Sequence, residues 1–202
     1  MLRRNRRRGV ATAVVAGAAV GATRAQPPAA ATGPVPAAAA AATGANRYRM
    51  VERMVSIGDD FFIQNDRGQR VFKVNGKALR VRDTLFIEDM HGRQLCKIQS
   101  RVARLRDSME IEGPDGHRLA MVHKAMITPF RDRFVAKIGD GPDLEVQGNL
   151  LDHEYRIGNV ATVSRKWFRI RDSYGVEVAP GQNDALILAI TVVIDQMTHD
   201  VG

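Results

Sequence analysis

From Met50 onward, short runs rich in Val, Ile, Phe and Leu alternate apolar with charged residues, the two-residue period of strands buried on one face. Asp60–Gln64, Arg70–Val74, Lys77–Val81, Thr84–Glu88 and Leu95–Ile98 follow one another, with turn signals at Asn65-Asp66-Arg67-Gly68 and Met90-His91-Gly92-Arg93. Met109–Glu112 runs into Pro114-Asp115-Gly116, where Pro presets φ and Gly tolerates a positive φ. Arg118–His123, Phe134–Ile138, Leu144–Gln147, Glu154–Ile157, Val160–Ser164, Trp167–Arg171 and Val176–Val178 continue the series. About a dozen strands at this close spacing predict an all-β sandwich or barrel. No stretch between them is long and apolar enough for a βαβ crossover.

Asn183–Thr198 breaks the pattern. Asn183 or Asp184 suits a helix N-cap, and Ala185–Met197 is apolar apart from Thr191, Asp195 and Gln196. A helix that is apolar on all sides is surrounded on all sides. At 1.5 Å per residue it spans roughly 20 Å, too short for a bilayer and matched to the interior of a small barrel. The expected architecture is therefore all-β with one buried helix.

Before Arg47 the chain has a different character. An arginine cluster (Arg3, Arg4, Arg6, Arg7, Arg8) precedes the apolar run Val10–Ala22, and Gln26–Ala45 is almost wholly Ala, Pro, Gly and Thr. That last stretch cannot bury enough side chain to offset its ordering entropy, so residues 1–46 are read as a disordered tail and residues 47–202 as the domain. The basic start, the apolar run and Thr23-Arg24-Ala25 have the outline of a secretory signal, and the paired arginines that of a twin-arginine signal. Against this, the run lacks Leu, Ile and Phe, and Arg24 stands where a small residue is wanted. The chain is expected to be cytoplasmic and peripheral at the membrane, with an N-terminal signal or anchor as the alternative.

The net charge of +8 changes meaning once it is located: of 30 basic residues six precede Arg47, where no acidic residue stands, leaving 24 against 22 acidic. The surplus belongs mainly to the tail, which can contact anionic lipid or nucleic acid. The 202 residues, 45% of them hydrophobic, suffice for one ordinary domain plus that tail. The lone Cys96 excludes an intrachain disulfide and any multi-cysteine zinc site, and it reads as a small buried apolar side chain.

One internal echo stands out: Arg80-Val81-Arg82-Asp83-Thr84, Arg104-Leu105-Arg106-Asp107-Ser108 and Arg169-Ile170-Arg171-Asp172-Ser173 share the pattern Arg-apolar-Arg-Asp-Ser/Thr. In a strand the two arginines face one side, and the Asp-Ser/Thr pair can cap a turn. Either the arginines are solvated ends of strands, or Arg80, Arg82, Arg104, Arg106, Arg169 and Arg171 converge on a basic rim that holds phosphate groups. Catalytic signatures are missing: there is no HExxH, nucleophile elbow, P-loop or dinucleotide fingerprint. Asp152-His153-Glu154 reads as a solvated turn, and Trp167, flanked by Arg165, Lys166 and Arg169, as a core or rim residue with a lipid interface as the alternative. No metal and no cofactor are expected.

Asp172–Val178 followed by the apolar helix ending Val193-Ile194-Asp195-Gln196-Met197 resembles the end of phospholipid scramblases. With Met54–Asp59, Val74–Lys77, Gly148–Leu150, Ile157–Ala161 and Val163–Trp167, the span from Tyr48 to Asp200 resembles more closely the LURP-one-related proteins of plants and bacteria. The resemblance implies a closed antiparallel twelve-stranded β-barrel around a central C-terminal hydrophobic α-helix, a fold shared with Tubby C-terminal domains. Tubby domains bind phosphoinositides, and scramblases are associated with calcium and lipid movement. The chain departs from the scramblases in two places. The loop before its helix offers Asp172 and Ser173 but too few oxygens for a hard cation, and no cysteine-rich segment is present.

The expected function is a non-enzymatic binding or membrane-tethering module that recognises anionic membrane lipid through its basic edges and tail. The alternative is a barrel that binds an unknown protein partner or senses a ligand. Nucleic acid comes third, because the domain is near neutral and only 5% of residues are aromatic.

Overall fold

The computed structural model describes residues 44–51, 60–75, 84–100, 108–128, 131–168 and 172–199. Strands form at Asn46–Val51 (β1), Phe61–Asn65 (β2), Arg70–Asn75 (β3), Thr84–Asp89 (β4), Gln94–Ser100 (β5) and Ser108–Glu112 (β6). They continue at Arg118–Thr128 (β7), Arg131–Ile138 (β8), Leu144–Asn149 (β9), Glu154–Ile157 (β10), Ala161–Ser164 (β11) and Ser173–Val178 (β12), and a helix follows at Asp184–His199 (α1). Each strand pairs antiparallel with its neighbour in sequence, and β12 returns to β1, Asn46 lying opposite Val178 and Val51 opposite Ser173. The ring is closed, so each of the twelve described strands is paired on both sides.

Antiparallel pairing all the way round places the first residues of odd-numbered strands at one end, here the proximal end, and those of even-numbered strands at the distal end. Tight hairpins β2–β3, β4–β5 and β6–β7 close the proximal end, with Gly68, Gly92 and Gly116 at φ of +75°, +79° and +77°. Asp89 accepts the amides of His91 and Arg93, each at 2.9 Å, and the Arg93 amide above all holds its carboxyl below the usual range.

The alternating residues point inward as the pattern predicts: Met50, Ile63, Val74, Ile87, Ile98, Ile111, Val122, Phe134, Ile157 and Val176 are buried. They surround α1, whose side chains from Leu186 to Met197 are all buried and which packs on β5, β6, β7 and β12. The helix thus threads the barrel. Asn183 is its N-cap: Oδ1 accepts the Leu186 amide at 3.1 Å and the Asn183 carbonyl accepts the Ile187 amide at 3.0 Å. The carboxylate of Asp184 receives the Tyr48 hydroxyl at 2.6 Å and Asn46 Nδ2 at 2.8 Å, tying β1 to the helix start at the proximal end. Burial, then this contact and the Asp184 charge, hold the Tyr48 phenol well above its ordinary range. Cys96 is buried, and desolvation pushes its thiol up to about 11.

Some strand boundaries differ from the sequence reading, and one predicted run is not tested. β1 begins at Asn46, ahead of the alternation traced from Met50, with Tyr48 and Met50 buried. The run Lys77–Val81 lies outside the described residues. Trp167–Arg171 does not start as a strand: Arg165–Trp167 is a short 3-10 helix, Phe168 is extended, and residues 169–171 lie outside the described residues. The turn forms because Ser164 Oγ accepts the Lys166 amide at 3.2 Å while the Glu154 carboxylate takes both Ser164 Oγ and the Arg165 amide. These local bonds outcompete the ladder that the apolar alternation suggests.

Candidate functional site at the distal end

Thr84, Ser108 and Ser173, the last residues of the three Arg-apolar-Arg-Asp-Ser/Thr repeats, are the first residues of β4, β6 and β12. All three are even-numbered strands of one closed antiparallel ring, so the three repeats feed strands that start at the same, distal end. Arg80, Arg82, Arg104, Arg106, Arg169 and Arg171 themselves lie outside the described residues. Asp172, which is exposed and has a φ of +59°, and the buried Ser173 are the described part of the third repeat.

The described residues at this end are organised around the β9–β10 turn. Gly148, at φ +135°, lies so close to β10 that a Cβ there would meet the Glu154 carbonyl oxygen at 2.4 Å. Only glycine allows that approach. Beyond it, Asn149 Nδ2 donates to Asp152 Oδ2 at 2.6 Å, the Asp152 amide donates back to Asn149 Oδ1 at 3.2 Å, and the His153 amide donates to the Leu150 carbonyl at 3.2 Å. His153 occupies the left-handed region at φ +51°, an unfavourable place for a residue with a Cβ.

What holds it there is a contact across the barrel. His153 is in a turn, as the sequence suggested, but it is not solvated: 1% of it is exposed. Its Nε2 lies 2.7 Å from Asp195 Oδ1 on α1, and its ring stacks on Tyr174 with centroids 4.2 Å apart and planes at 24°. Arg165 places a guanidinium nitrogen 3.4 Å from Nδ1. A guanidinium only donates, so Nδ1 is the acceptor there and Nε2 carries the proton toward the carboxylate. The charge of Arg165, exposed at the surface, is thereby linked through the imidazole to a carboxylate inside the barrel. Tyr155 points into the same region, and its hydroxyl and Gln196 Oε1 have no hydrogen-bond partner among the described residues. Burial, then the Asp195 charge, push the Tyr155 phenol far up.

The outer face is unusual on β12, where all six residues are buried. Trp167 and Phe168 lie on it in the space that Gly175 leaves: a Cβ there would stand 2.7 Å from Trp167 Cε3 and 2.9 Å from Phe168 Cε2. Arg47 caps the indole at 4.9 Å and pairs with Glu177 at 2.6 Å. Trp167 is a half-buried residue seated on the wall.

An imidazole–carboxylate pair is familiar from acid–base catalysis. Here it is enclosed, and Ser164 Oγ, a nearby hydroxyl, is committed to the carboxylate of Glu154 at 2.9 Å. The pair, buried at both residues, fastens a turn to a helix. Its signal in the sequence was Asp195, a carboxylate inside the apolar run Ala185–Met197, since a buried charge demands a partner. Among the described residues no three His, Cys, Asp or Glu side chains gather as a metal would require, and no helix is long and apolar enough to cross a membrane.

A model of the LURP-one-related family matches residues 47–195. The fold is similar to that of a protein from Arabidopsis thaliana solved by X-ray crystallography, with a TM-score of 0.57, 19% identity, and coverage of 77% of this chain and 92% of that one. Among curated proteins none matches.

Proposed function

Because the chain belongs to the LURP-one-related family, we propose that it is a non-enzymatic binding module that engages anionic lipid headgroups at the distal end of its barrel. The observation that carries this reading is the arrival of three arginine-bearing repeats at β4, β6 and β12, strands that begin at one end of one ring. Arg80, Arg82, Arg104, Arg106, Arg169 and Arg171 supply planar guanidinium forks, the side chain best suited to phosphate oxygens. Burial of the His153–Asp195 pair supports a role without catalysis. The barrel is of the Tubby-like and scramblase-like kind, with the helix as its filling.

The arginine-rich N-terminus adds a separable attraction of about 1 kcal/mol per basic residue near an anionic surface. Flotation with phosphatidylcholine vesicles containing phosphatidylserine tests the proposal. Binding that weakens from 50 to 500 mM salt, and weakens again when each Arg pair becomes Gln, is expected. Full retention of binding in the six-Gln variant would place the contact in the tail, and absence of binding to anionic vesicles would favour a barrel that binds protein.

A further inference from the structure

We propose that the β9–β10 turn is an interfacial membrane anchor: Leu151 enters the headgroup boundary of an anionic bilayer while Arg165 and Lys166 meet phosphates beside it. This rests on the lipid-binding reading and goes beyond it by assigning the apolar contact and the orientation of the barrel.

Among the described residues Leu151 is 67% exposed, more than the other exposed large hydrophobic residues, Met90 at 46% and Val51 at 45%. A single exposed leucine is ordinary on a protein surface. This one differs in how it is held. Leu150 before it packs against the core, so the two leucines of the turn divide their duties, one inward and one outward. The Asn149–Asp152 side-chain bonds and the left-handed His153, fastened to Asp195, make the turn a built feature. The fold spends backbone strain on a conformation whose outermost side chain is apolar.

The surroundings fit an anionic lipid surface. Arg165 and Lys166 are exposed next to the turn, the Lys166 side chain at 70%. The nearby carboxylates already have partners, Asp152 the Asn149 amide and Glu154 the Ser164 hydroxyl, the Arg165 amide and Lys166. Lys166, 3.4 Å from Glu154 and mostly exposed, would exchange that contact for phosphate. Val51, at the end of β1, is exposed at the same end. Met90, by contrast, sits in a proximal hairpin beside Asp89, which pairs with Arg93 at 3.0 Å.

The test uses the full chain with an environment-sensitive fluorophore at Leu151→Cys or, as control, at Met90→Cys. Cys96 is buried, so labelling of the wild type sets the background. On phosphatidylserine-containing vesicles the label at position 151 should shift to the blue and be quenched by lipids bearing a shallow quencher, while the label at 90 stays in water. Leu151→Ser should weaken partitioning about tenfold, since the apolar side chain then contributes nothing. Vesicle binding with the label at 151 still in water would overturn the anchor and leave the lipid reading standing. No vesicle binding by the wild type would overturn both.

Discussion

His153 Nε2 lies 2.7 Å from Asp195 Oδ1, joining the turn after β9 to the last turns of a helix that the barrel encloses. The two residues are 42 positions apart, and both are buried. Removing either partner breaks a buried hydrogen bond to a carboxylate, which typically costs about 1.5–3 kcal/mol. His153→Ala and Asp195→Ala are therefore each expected to lower unfolding free energy by about that amount. The double variant should cost less than the sum of the singles, because the bond between them can be lost only once. Urea unfolding read by far-UV circular dichroism measures this, and strict additivity would show that the contact carries no energy.

Tyr48 and Asp184 form a second fastener, at the opposite end. Tyr48→Phe keeps the ring and loses the hydrogen bond to a charged acceptor, an expected loss of about 1.5–3 kcal/mol. Asn183→Ala, which removes the N-cap, should cost about 1 kcal/mol. Both should shift the urea midpoint without changing the slope, since neither alters the surface exposed on unfolding.

Gly175→Ala brings a methyl group to 2.7 Å from the Trp167 ring and forces it off the wall of the barrel. Overpacking of this kind costs about 1–3 kcal/mol. Trp167 is the sole tryptophan, so native fluorescence reports the displacement directly. A red-shifted emission maximum at unchanged far-UV signal is the expected result, and an unchanged spectrum would mean that the ring is not confined.

Cys96 supplies a pH dependence with a definite sign. Burial raises the thiol from its usual value of 9.0 to about 11 in the folded chain. Between those values the unfolded chain loses the proton and the folded chain keeps it, so the folded state binds more protons and stability falls as pH rises. The contribution is complete below pH 9 and gone above 11, and over two units it amounts to about 3 kcal/mol. Cys96→Ala should flatten the decline of the urea midpoint between pH 8.5 and 11. In the native protein at pH 8 the thiol should resist alkylation until denaturant is added.

Much of the barrel was legible in the chain because its causes are local. Alternation of apolar and charged residues sets which side of a strand is buried, Gly and Asn or Asp set the hairpins, and the unbroken apolar stretch Ala185–Ile194, relieved only by Thr191, asks to be enclosed. Where the reading failed, local bonding had won over period: Ser164 and Glu154 wind Arg165–Trp167 into a turn that the apolar pattern assigned to a strand.

The sequence by itself determined most of the strands, the central helix with a cap at Asn183 or Asp184, and the inward places of residues such as Cys96 and Ile98. Only the tertiary structure decided that His153 meets Asp195, that Gly175 makes a seat for Trp167, and that the three arginine repeats open strands at one end. The reason is geometric. Side-chain period is written in neighbouring residues, whereas convergence of residues far apart is created when β12 pairs with β1, closes the ring around the helix and gives it two distinct ends.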